Sequence, residues 1–82
     1  MFTNTSYNVA HVEEKSDTVD FLYGVCDAIF VGTTAGNITL VLEDGNTVLF
    51  TAVPVGTILP VRAKRINSTG TGSSTFVALY RR

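Results

Sequence analysis

Side chains that could carry out covalent or acid–base chemistry are scarce in this chain. It holds one histidine, His11, and one cysteine, Cys26. A zinc site or a Cys/His nucleophile needs several such groups gathered together. Cys26 lies inside the apolar run Phe21 to Val31, where burial leaves a thiol inert. Asp27, in the same run, has no second acid, histidine or serine arrangement around it, so a place at the solvent rim of a strand, with a partner, is its expected role. Gly32-Thr33-Thr34-Ala35-Gly36 lacks the GxxxxGK[ST] spacing and precedes a strand, so it reads as a turn and not as a phosphate loop. These residues imply no enzyme, no metal and no cofactor.

The other chemistry on offer is electrostatic. Arg62 and Lys64 share one face of a strand with Arg65 next to them, and basic residues beside aromatic ones are what an oligonucleotide-binding β-barrel would present. That is the alternative reading. The formal net charge of −1 argues against a polyanion partner, and most aromatics sit in core-like runs. Charge is also unevenly placed. Residues 1 to 30 carry Glu13, Glu14, Asp17, Asp20 and Asp27 against Lys15, whereas residues 51 to 82 carry Arg62, Lys64, Arg65, Arg81 and Arg82 with no acid. Either the two ends neutralise one another within a subunit or simply face water, or the acidic arm meets a basic face on a neighbour.

The elements that position these residues read as strands. Gly36 to Val53 is expected to form a β-hairpin closed by a two-residue type I′ turn at Asp44-Gly45. That register would put Val41 opposite Val48, and Val41, Val48 and Phe50 on one face. The other face would hold Ile38, Leu40, Leu42 and Leu49. A hairpin apolar on both sides needs two covers, which makes Val41, Val48 and Phe50 the candidate subunit interface. Arg62, Lys64 and Arg65 are the candidate basic strand facing a partner.

Around the hairpin, Phe21 to Val31 suits a strand buried on both sides, and Thr75 to Tyr80 alternates as a last strand. Between them runs Ile58 to Ile66. Pro60 cannot donate to a ladder and confines Ile58 to Val61 to a sheet edge. Asn67 to Ser74 is a polar, glycine-rich loop. Residues 1 to 20 read as an extended arm ordered only on a surface, and residues 21 to 82 as a single β domain. About five strands and no helix argue for a small antiparallel sandwich or partly open barrel, all-β in class.

An 82-residue chain buries only about 60 to 65% of the surface its unfolded form exposes, and a single cysteine offers no internal disulfide. With 45% hydrophobic and 16% charged residues, the composition suits a subunit stabilised by assembly. No apolar run reaches the roughly 18 to 20 residues of a membrane span, and no signal-peptide pattern opens the chain, so a soluble, unexported protein is expected.

From Ala28 to Tyr80 the sequence resembles small virion proteins of tailed bacteriophages and phage-like gene transfer agents, in particular their head-spike base family. The resemblance rests on Ile29-Phe30-Val31-Gly32, on Asn37-Ile38-Thr39-Leu40 and on the ending Val77-Ala78-Leu79-Tyr80. Its most specific part is Val53 to Arg62, VPVGTILPVR, which resembles a V-P-x-G-T-x-L-P-[VI]-R run. The resemblance implies a non-enzymatic protein on the capsid exterior, made in the host cytoplasm. Its role would be a cement or decoration protein, or the base of a head spike or fibre. Its partners would be the major capsid protein, copies of itself as a trimer or pentamer, and a spike or fibre protein; no membrane or nucleic acid is implied.

Overall fold

The computed structural model describes residues 6 to 82, and the first five residues of the expected arm lie outside the described part. Seven strands follow in order: β1 (Val9–Glu13), β2 (Ala28–Val31), β3 (Gly36–Leu42), β4 (Thr47–Val53), β5 (Ile58–Leu59), β6 (Ala63–Asn67) and β7 (Phe76–Tyr80). They form two antiparallel sheets, β1-β7-β2-β5 and β4-β3-β6, packed as a small sandwich that does not close into a barrel.

Period-2 alternation explains the layering. Ile29, Val31, Phe76, Ala78 and Tyr80 from the first sheet meet Ile38, Leu40, Ala63 and Ile66 from the second, and all are buried in one core. Phe21 and Cys26 plug the core from the connection between β1 and β2. That connection also seals the outer edge of β6. The Ser16, Phe21 and Cys26 amides donate to the carbonyls of Ile66, Lys64 and Ala63 at 2.8, 2.8 and 2.9 Å.

Three expectations are revised. The extended segment expected over residues 1 to 20 is extended at β1, and the surface it lies on is the chain's own β7, from Val9 opposite Tyr80 to Glu13 opposite Phe76. The run Ile58 to Ile66 is two strands on different sheets. β5 is an edge strand that ends before Pro60, as the missing amide requires, and the chain then crosses to β6. The run from Phe21 is strand only from Ala28 onward.

The hairpin turn also differs. The Gly45 amide donates to the Leu42 carbonyl at 2.9 Å and the Leu42 amide to the Asn46 carbonyl at 2.8 Å. Glu43 and Asp44 are thus the central residues of the turn, and Gly45 alone has a positive φ, 91°. This is a three-residue connection, a turn followed by a left-handed glycine. Asp44 favours it by accepting both the Asn46 amide and the Asn46 side-chain amide, at 3.0 and 2.9 Å. The register moves by one residue: Thr47 lies opposite Val41, Val48 opposite Leu40 and Phe50 opposite Ile38.

The Asn67 to Ser74 loop is pinned as well as exposed. Thr71 is buried and its hydroxyl accepts the Thr39 amide at 2.9 Å. Gly70 has φ +85°, and a Cβ there would stand 2.4 Å from the Thr39 hydroxyl, so only glycine fits this approach.

Candidate functional site

The feature that sets this molecule apart is the face of the four-stranded sheet turned away from the core. Side chains alternate along every strand, so one register determines both faces. Val12 on β1 stands opposite Val77 on β7, Val77 opposite Phe30 on β2, and Phe30 opposite Ile58 on β5. A second row runs from Ala10 through Leu79 to Ala28. None of these seven residues is polar or charged. The first row crosses all four strands, about 14 Å at the usual strand spacing.

The row is open at both ends, where Val12 is 68% and Ile58 47% exposed. Phe30, Val77 and Leu79 between them are half-buried. An antiparallel sheet with one face on a core ordinarily puts polar residues on the other, and a contiguous apolar patch marks a contact surface. Beyond Val12 the apolar surface continues to Val19 and Leu22, which is 84% exposed. With Glu13, Glu14, Ser16 and Asp20 these residues line a shallow cleft of about 390 Å³. Burial pushes the Glu13 carboxyl above its usual range, partly offset by His11.

Two-sided apolarity was expected of the hairpin, and the structure puts it on the other sheet. Because of the register shift, Val41, Val48 and Phe50 do not share a face. Val48 and Phe50 stand beside Leu40 and Ile38 on the core side, where Phe50 packs against the core. Val41 points the other way, between Thr47 on β4 and Arg65 on β6, and is 3% exposed. The outer face of this sheet carries Thr39, Thr47, Leu49, Arg65 and Asn67 around Val41. It is mixed in polarity and needs no cover of its own.

Two of the three basic residues are engaged within the chain. The Arg62 guanidinium donates to Asp27 at 2.9 Å and to both Glu43 oxygens at 2.8 and 3.1 Å. It holds the Glu43 carboxyl below its usual range. Asp27 precedes β2 in one sheet and Glu43 lies in the hairpin turn of the other, so Arg62 clamps the sheets together at one end of the sandwich. Asp27 also accepts the Arg81 amide at 2.7 Å. Arg65 pairs with Asp20 at 3.2 Å. Acidic and basic ends of the sequence thus neutralise one another at these pairs, and the guanidiniums that an oligonucleotide-binding surface would use are occupied. Lys64 sits at an irregularity of β6.

Cys26 is fully buried, and burial pushes its thiol up, as befits a packing residue. Sequence reasoning missed the cluster around Gly24. The Tyr80 hydroxyl donates to the Gly24 carbonyl at 3.0 Å, Tyr23 stacks on His11 with ring centres 3.6 Å apart, and the Arg82 guanidinium lies 4.4 Å over the Tyr80 ring. These contacts join residues far apart in sequence, and no local pattern announces them. Among the described residues no group of histidine, cysteine, aspartate or glutamate is placed to hold a metal ion.

No protein-family model and no curated protein matches the chain. Among solved structures it is similar to a chain of the capsid of a native gene transfer agent (GTA) particle computed with C5 symmetry. The two are 34% identical over 90% of this chain and 83% of that one, with a TM-score of 0.77.

Proposed function

Since this chain belongs to the capsid-particle proteins of phage-like gene transfer agents, we propose that it is a non-enzymatic structural protein on the outside of such a head, seated by the outer face of its four-stranded sheet. The observation that carries this reading is the uninterrupted row Val12-Val77-Phe30-Ile58. A row of that length gains by burial, at about 25 cal/mol per Å² of apolar surface removed from water. The partner is a capsid subunit or a further copy of the chain, and the role is that of a cement or decoration protein, or of a base for a spike or fibre. The similar chain comes from a capsid with fivefold symmetry imposed, which is consistent with a symmetric assembly. The Arg62 ion pairs bridge the two sheets at one end of the sandwich, and Arg65 ties β6 to the connection between β1 and β2 through Asp20.

The test is co-sedimentation of the purified chain with heads from its own source that lack it. The reading expects saturable binding that survives high salt, because apolar contacts are not screened, and labelling of the bound chain on the outer surface of intact heads. Absence of the chain from purified particles would overturn it.

A further inference from the structure

Most charged side chains of this molecule find partners within it. Arg62 and Arg65 are paired with acids. Lys15 and Arg82 donate to backbone carbonyls, and Asp17 and Asp44 accept hydrogen bonds. Glu13, Glu14, Lys64 and Arg81 are left over: among the described residues their side chains make no hydrogen bond or ion pair.

The β1–β7 ladder puts three of these four at opposite ends of one sheet. It runs from Val9 opposite Tyr80 to Glu13 opposite Phe76, a span of about 13 Å at the usual rise per residue. Arg81 follows the first end and Glu14 the second, so the guanidinium and the carboxylates of one copy are out of each other's reach. The backbone at Arg81 is fixed. Its amide donates to Asp27 at 2.7 Å, and the Asn8 side chain binds both the amide and the carbonyl of Arg82. An exposed guanidinium is thereby presented on a rigid tip. At the other end, Glu13 and Glu14 rim the shallow cleft formed with Val12, Val19 and Leu22, which are 68, 66 and 84% exposed. An arginine suits such a cleft in two ways: its aliphatic stem covers apolar surface, and its planar head pairs with carboxylate.

We propose that the Arg81 tip of one copy seats in the Glu13-Glu14 cleft of the next, end to end. The inference rests on the reading of the chain as an assembling subunit and names the contact between its copies. A second copy is the occupant because it carries, fixed and unpaired, the cation that the cleft lacks, and no copy can bring its own Arg81 there. The contact joins two different patches, so every copy gives one tip and receives one. Repeated about a single axis it closes a trimer or a pentamer with no two-fold contact. Lys64 lies on β6 in the other sheet and takes no part.

The test is the mass of the isolated full chain at rising concentration, by light scattering in low salt, for wild type, Arg81→Glu, Glu14→Arg, the two combined, and Lys64→Glu. The proposal expects a closed oligomer that salt weakens. Each single reversal at Arg81 or Glu14 should raise the concentration needed for assembly by at least about tenfold, and the combined variant should recover. Lys64→Glu makes the same charge change on the other sheet and should leave the mass unchanged. Arg81→Lys with a water-soluble carbodiimide gives a second reading, because the new amine should couple to Glu13 or Glu14 of another copy and peptide mapping would locate the link. Should a reversal fail to fold, this cross-link decides. A wild-type chain that is monomeric at every concentration, an oligomer indifferent to both reversals or dissociated by Lys64→Glu, or coupling of position 81 elsewhere would overturn it. Binding to heads by a chain that never self-associates would sink this contact and leave the structural role standing. An oligomer that ignores heads would do the reverse.

Discussion

Val77 on β7 lies directly opposite Phe30 on β2, on the face of the four-stranded sheet turned from the core. Their neighbours in line are Val12 and Ile58. The core-facing sides of the same strands carry Phe76, Ala78, Ile29 and Val31, so β2 and β7 are apolar on both sides. A sheet of this kind is stable as the middle of something larger.

Val12→Asp separates assembly from folding. Val12 is 68% exposed, so the substitution should change the free energy of unfolding by no more than about 0.5 kcal/mol. A charge in a desolvated contact costs much more, and head binding should weaken by at least about tenfold, or ~1.4 kcal/mol. Urea unfolding and co-sedimentation of the same variant check the two halves.

The Tyr80 phenol gives the fold an alkaline limit. Burial, ahead of nearby acidic groups, pushes its pKa from 10.0 up to about 12. Between these values the folded chain keeps the proton and the unfolded chain releases it, so stability falls as pH rises. The contribution is intact below pH 10 and is lost by about pH 12, a decline of roughly 2 to 3 kcal/mol at 1.36 kcal/mol per unit. Tyr80→Phe should remove that decline, at a cost of about 1 kcal/mol for the lost bond to the Gly24 carbonyl. Denaturant unfolding of both proteins across this range checks it.

Ala52 has φ 52°, a left-handed conformation that costs a non-glycine residue about 1 kcal/mol or more. It lies where the β3–β4 register shifts, and its amide donates to the Asn37 side chain at 2.9 Å. Ala52→Gly relieves the strain and adds entropy to the unfolded chain, for a net gain of about 0.5 kcal/mol. Asn37→Ala should lose about 1 kcal/mol. Thermal unfolding ranks the two.

Arg62→Met tests the clamp between the sheets. Arg62 and Glu43 are both more than half exposed, so the cost in stability should be small and shrink further in salt. The Glu43 carboxyl, held low by Arg62, should titrate higher in the variant. In the wild type its contribution is present above its unfolded pKa and fades as pH falls through the lower folded value. Side-chain carboxyl NMR of both proteins reads the change.

The strands of this fold were legible because FVALY, AIFV and GNITLVL are short apolar runs bounded by turn residues. The edge position before Pro60 followed from one missing amide. The tertiary register was not legible. Asp44-Gly45 fits a two-residue turn as well as the observed one, and the choice rests on Asp44 accepting two bonds from Asn46. That single residue of slip moved Val48 and Phe50 to the side of Leu40 and left the hairpin's outer face mixed in polarity. β1 was hidden for another reason: VAHVE has too few apolar residues to announce a strand, and its order comes from β7, which is distant in sequence. The pairing of Arg62 with Asp27 and Glu43 across the sandwich depends on how the sheets stack, which no local pattern encodes.

The account stands on the outer face of the four-stranded sheet being covered in the particle. Val12→Cys offers a direct reading, since Cys26 is fully buried and the new thiol would be the one that reacts. In the free chain a maleimide probe should label Val12→Cys rapidly; in assembled heads the same residue should be protected. Equal labelling in the free chain and in the particle would contradict the account.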